Sequence, residues 1–191
     1  ASCPPATSRV TLAPFAALAS FGSMLHCGRI AGRVNPVPAA ILAHELCVRW
    51  RKGWVALFAL GAAYGIIEEG LMLRTFFDPG WPDLGILASY GRAWGVNWIW
   101  SLELTVFHSV YSIAVPNILV GLLFPRVAGE RWTGRAWFIV VCALFGIIVV
   151  PGGWLLSKYA PPLVPFLLAV AATAGFVVLA RFAPDGALAD S

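Results

Sequence analysis

The chain has 191 residues, 60% of them hydrophobic and only 12% charged, with a mean hydropathy of +0.82. That balance excludes an ordinary soluble domain and marks an integral membrane protein. The net charge of +4 comes from Lys and Arg that fall in short loops between apolar runs, so it argues for membrane topology and against nucleic acid as a partner.

Only helices or closed barrels satisfy their backbone hydrogen bonds in a bilayer, and continuous apolar runs near 20 residues mean helices. The expected fold is therefore all-α, a polytopic transmembrane helical bundle of five or six spans forming one membrane domain over residues 1–191. In chain order the predicted spans are 10–27, 36–48, 54–73, 98–124, 137–156 and 162–182. Segment 36–48 is short, and reads as a tilted span, a half-helix or a re-entrant piece. Because apolar segments recur along the whole length, one cleaved signal peptide does not account for the hydrophobicity. The sequence begins with Ala, as a fragment or processed product would. Cys3, Cys27, Cys47 and Cys142 are scattered with no CxxC pair, so no disulfide framework is expected.

Arg49, Arg51 and Lys52 precede the third predicted span, and Arg126, Arg131 and Arg135 follow the fourth. Loops 49–53 and 125–136 are accordingly expected in the cytoplasm, with loop 74–97 on the non-cytoplasmic side. Trp81, Trp94, Trp98 and Trp100 crowd that far side, as an aromatic belt or a short surface helix would. Gly61 and Gly65 form a GxxxG pattern that permits close helix approach, within the chain or between copies. The expected partners are thus the lipid bilayer and a homo-oligomer or membrane complex through Gly61 and Gly65.

Glu68 and Glu69 stand near the end of an otherwise apolar span. A charge at mid-bilayer costs about 2.5 to 3.5 kcal/mol on insertion scales, so such residues face a protein interior, a partner or water. The next span enters from the same side and carries Glu103 and His108 at comparable depth. Ser101, Thr105, His108 and Ser112 follow helical spacing and form one polar stripe. Glu103 lies roughly 140° around that helix from His108, so it is expected to serve a different contact. Such a group suits water activation, with a metal held by Glu and His and a second carboxylate as general base. The structural alternative pairs a glutamate with Arg74 and lets His108 bond a hydroxyl or a backbone carbonyl. His44 and Glu45 begin an HExxH-like run, but Val48 stands where the second ligand belongs. The cores of the last two predicted spans carry no ionisable group, which argues against a continuous ion path.

The run GIIEEGLMLRTFF, residues 65–77, resembles the first motif of the CAAX-protease and bacteriocin-processing family of intramembrane metalloproteases. In that family a Glu pair is followed by Arg, and two later helices carry His, the second with a nearby Asn. Glu68 and Glu69 match the pair, while Arg74 comes one residue late. His108 corresponds to the first family His, with Leu104 in place of the Phe four positions earlier. Asn117 lies nine residues beyond His108, and no second His follows. The resemblance implies an intramembrane protease with Glu68, Glu69 and His108 catalytic and a divalent, zinc-like metal at Glu69 and His108. Arg74, Glu103, Ser101, Thr105, Ser112 and Asn117 would support them. The competing reading is a noncatalytic packing or assembly partner, or a small binding or permeation module with a polar cavity.

Overall fold

The computed structural model describes residues 36–188, so the predicted span 10–27, with Cys3, His26 and Cys27, lies outside the described residues. What is described is mostly helical: α1 (Val37–Trp50), α2 (Trp54–Met72), α3 (Trp98–Leu123), α4 (Arg135–Leu155) and α5 (Leu163–Phe182). Four of them, α2 to α5, are long and apolar enough to cross a membrane. The 14 residues of α1 span only about 21 Å at 1.5 Å per residue, short of the roughly 30 Å hydrocarbon core. Segment 36–48 is therefore the body of a half-length helix. It opens with proline in its first turn, where a missing N–H costs nothing, and stops at Arg51 in the left-handed region.

The centre of the bundle is α2, mostly buried, with α1, α3, α4 and α5 around it; α4 and α5 expose Leu, Val, Ile and Phe along most of their length. That distribution suits a bilayer, because lipid tails give no hydrophobic incentive to cover such faces. Helix association must instead come from close packing, and here the GxxxG pattern acts. A Cβ on Gly61 would lie 2.7 Å from the Ser109 Cα, and one on Gly65 3.1 Å from both the His108 Cβ and the Thr105 Cα. The glycine face is thus filled by α3 of the same chain, the within-chain form of the close approach that the pattern permits.

The loops sort to two ends. At one end Lys52 Nζ donates to Asp185 at 2.6 Å, and Arg49 donates to the Thr133 carbonyl at 3.1 Å. Glu45 Oε1 accepts from the Thr133 N–H at 2.6 Å, and the His44 ring stacks on Trp132 with centroids 3.5 Å apart. The two basic loops and the chain after α5 therefore meet, as the charge pattern requires. The HELC run is a structural clamp in which Glu45 is held by Thr133 and Arg49. At the other end lie a short 3₁₀ helix, Pro82–Ala88, and a hairpin of β1 (Arg92–Ala93) and β2 (Val96–Asn97). The two-residue turn has Trp94 and Gly95 both at positive φ, as such hairpins need. Trp94 and Trp98 project outward as belt residues do, whereas Trp100 is buried and belongs to the site.

Candidate functional site

Both helices that carry the site leave the α-helical path where its residues fall. The last turns of α2, Ile66–Met72, are π-helical and bear Glu68 and Glu69; the middle of α3, His108–Ala114, is π-helical and bears His108 and Ser112. Such wide turns are rare and concentrate at functional sites. Pro116 supplies a local cause in α3, since it lacks the N–H that would reach the Ser112 carbonyl, and the widened turn precedes it. In α2 the chain unwinds over its own glutamates. Leu73 N donates to the Glu68 carbonyl and Thr75 N to the Glu69 carbonyl, each at 2.8 Å. Gly70 allows this, because a Cβ there would meet the Phe76 ring at 3.0 Å.

Glu68, Glu69 and His108 are 2%, 1% and 3% exposed, and the imidazole lies between the two carboxylates. His108 Nε2 is 3.3 Å from Glu69 Oε1, while Nδ1 is 2.9 Å from Ser112 Oγ and 3.4 Å from Glu68 Oε2. The other oxygen of Glu69 accepts from Thr75 Oγ1 at 2.8 Å, and Thr75 in turn accepts from the Trp100 indole N–H at 3.1 Å. A neutral ring protonated on Nε2 completes a continuous chain, from Trp100 through Thr75 and Glu69 to His108, with the Ser112 hydroxyl donating to Nδ1. A second proton on Nδ1 would instead face Glu68. Tyr64 and Phe107 each meet the ring edge-on at 5.5 Å, fixing its plane.

The remaining predicted residues divide. Ser101 and Thr105 donate to the Asn97 and Ser101 carbonyls of their own helix, so that half of the stripe is satisfied locally. Glu103 faces outward and does not join the cluster. Arg74, in the left-handed region, donates to the Tyr159 carbonyl at 2.6 Å and pins the α4–α5 loop, so it is not the partner of a glutamate. Asn117 donates to the Ile113 and Ala40 carbonyls and lies beside His44 at the other end of the bundle. Thr75 and Trp100 were not predicted. They sit six residues past Glu69 and on the next helix, and only the fold-back after Leu73 unites them.

The expected metal can be tested against the donors. Catalytic zinc takes three protein ligands and leaves one position open. Glu69 Oε1 and His108 Nε2 could share an ion, whereas Glu68 Oε2 lies 3.4 Å from the opposite ring nitrogen. Among the described residues, no group of three or more His, Cys, Asp or Glu could hold a metal. The described residues alone do not complete such a donor set, and no step is routed through a metal.

What fold and site define together is an all-α membrane-type protein with a buried carboxylate–imidazole cluster between two distorted helices. The chain matches no protein-family model, no curated protein and no solved structure.

Proposed function

We propose that the chain is a membrane-embedded hydrolase resembling the CAAX-type intramembrane proteases, with Glu68, Glu69 and His108 as its acid–base machinery. The observation that supports this most is the imidazole held between two buried carboxylates, 3.3 Å and 3.4 Å away. Buried ionisable groups inside a membrane bundle are costly and mark functional sites by default. Glu69, fixed by Thr75, orients the ring through Nε2. Nδ1 and Glu68 then form the pair that takes a proton from an attacking water and returns it to a leaving amine, the ordinary two-way duty of a general base. Peptide hydrolysis within the bilayer is the reaction class that this reading assigns, and a substrate segment would reach the cluster from the membrane.

The closure of the site favours a second reading. All three groups are nearly inaccessible, so the same cluster also suits a noncatalytic role that locks α2 to α3. In either case loops 49–53 and 125–136 are proposed to be cytoplasmic and loop 74–97 non-cytoplasmic.

Purified chain should be screened for cleavage of transmembrane-segment peptides beside Glu69→Gln and His108→Ala, with metal content measured on the same samples by mass spectrometry. Cleavage by the wild type alone, without stoichiometric metal, is the expected result. A well-folded wild type that cuts nothing favours the packing role. One ion per chain, lost in both variants, would restore the metal that the resemblance implies.

A further inference from the structure

A groove of about 460 Å³ lies between α4 and α5, with Leu71, Arg74, Val150, Trp154, Leu163 and Phe166 among its walls. Val150, Trp154 and Leu163 are 65%, 79% and 69% exposed, so the groove opens sideways toward lipid. Arg74 is its charged wall, and the proposed hydrolysis makes no use of it.

Counting partners shows what the guanidinium lacks. Nη1 donates to the Tyr159 carbonyl at 2.6 Å and approaches the Ser157 carbonyl at 3.5 Å. Both acceptors are neutral, so they hold the loop without balancing the charge. Nε is buried with no partner, and Nη2 makes no bond among the described residues. The ion pairs there join Arg49 to Glu45, Lys52 to Asp185 and His108 to Glu68 and Glu69, and none includes Arg74. Asp78, the next carboxylate along the chain, accepts instead from the Gly80 N–H at 2.8 Å. Nε and Nη2 form one edge of the planar fork, the edge that takes two oxygens of an anion side by side. A buried donor without a partner is costly, so the edge calls for an acceptor that bears negative charge.

Depth and charge name its source. Arg74 stands just past the end of α2, Trp154 in the last turn of α4, and Leu163 at the start of α5. Three spans therefore end around the groove, which sets the guanidinium at the boundary between hydrocarbon and headgroups, the level of lipid phosphates. The exposed Trp154 indole suits the same level. Lys158, also exposed, stands between Ser157 and Tyr159, whose carbonyls meet Arg74. Two cations this close repel the ammonium of a zwitterionic headgroup and favour a phosphodiester whose headgroup is uncharged.

We propose that this groove binds an anionic phospholipid of the bilayer, with Arg74 Nε and Nη2 donating to its phosphate oxygens, Lys158 adding charge, and one acyl chain lying along Leu71, Val150 and Phe166.

The test titrates the full chain, freed of lipid in detergent, with dioleoyl phosphatidylglycerol, dioleoyl phosphatidylcholine, dioleoylglycerol or soluble glycerol phosphate, and reads bound lipid by native mass spectrometry. The expected result is one phosphatidylglycerol per chain, bound about tenfold more tightly than either other lipid, a difference near 1.4 kcal/mol. Glycerol phosphate should not displace it, because the chain contributes to binding. Val150→Trp, at a lipid-facing position, should fill the groove and abolish retention with a normal thermal melt. Arg74→Gln should erase the preference for phosphatidylglycerol over dioleoylglycerol, but it also disturbs the bond to Tyr159, so Val150→Trp carries the test if that variant fails to fold. Equal binding of the three lipids, undiminished binding in Val150→Trp, displacement by glycerol phosphate at matched concentration, as at a site for free phosphate, or no bound lipid at all would overturn the proposal.

Discussion

His108 Nε2 on α3 and Glu69 Oε1 on α2 lie 3.3 Å apart, each within a π-helical stretch of its own helix. Two independent departures from α-geometry thus meet at one contact. A helix gives up regular hydrogen bonding only where the surroundings repay it, so this contact is the natural target for mutation.

Glu69→Gln should reduce any peptide cleavage by about 10² to 10⁴, the usual share of a general acid–base group, and His108→Ala should do the same. Thr75→Val removes the hydroxyl between Trp100 and Glu69 and should cause an intermediate loss, with about 1 to 3 kcal/mol of destabilisation from unpaired buried groups. Glu103→Gln, on an outward face, should leave cleavage and thermal stability unchanged. If Glu103→Gln and Glu69→Gln lower cleavage equally, the assigned site is wrong.

Gly61→Ala places a Cβ 2.7 Å from the Ser109 Cα. Backbone must move, and a loss of about 1 to 3 kcal/mol is expected, as for overpacking elsewhere. The change should appear as a lower melting temperature with no shift in oligomeric mass by light scattering. A change of mass without a change of stability would return the glycines to an interface between copies.

Sidedness follows from charge and is open to labelling. In a background without the four native cysteines, Gly80→Cys should react with an impermeant thiol reagent on intact cells. Arg131→Cys should react only after lysis. The reverse pattern would invert the proposed topology.

The Lys52 ammonium, donating at 2.6 Å, holds the Asp185 carboxyl below the ordinary carboxylate value. A lowered folded value means that the unfolded chain binds the proton first. The pair's contribution is therefore present above about pH 4 and disappears as pH falls through the folded value. Asp185 is solvent-exposed, so the effect is small and salt-sensitive. Melting curves of wild type and Asp185→Asn should differ slightly at about pH 7 and converge as pH falls below about 4; a gap that widens on acidification would refute the assignment.

Much was legible in the residues alone. The four long helices, the helical class and the sharing of one end by the two basic loops were read from apolar runs and charge, because insertion into a bilayer depends on local hydrophobicity over about 20 residues. The glutamate pair and His108 stood out for the same reason, as costly groups in apolar surroundings. Tertiary structure decided the rest. It turned the Gly61 and Gly65 face inward onto Ser109 and His108, and gave Arg74 to the Tyr159 carbonyl. It sent Asn117 to His44, and set Thr75 and Trp100 behind Glu69. Apart from Thr75, six residues past Glu69, none of these partners is near in sequence. Each depends on how α2 crosses α3 and where the chain folds back after Leu73, and the π-helical turns shift side-chain directions that regular helical spacing would misplace.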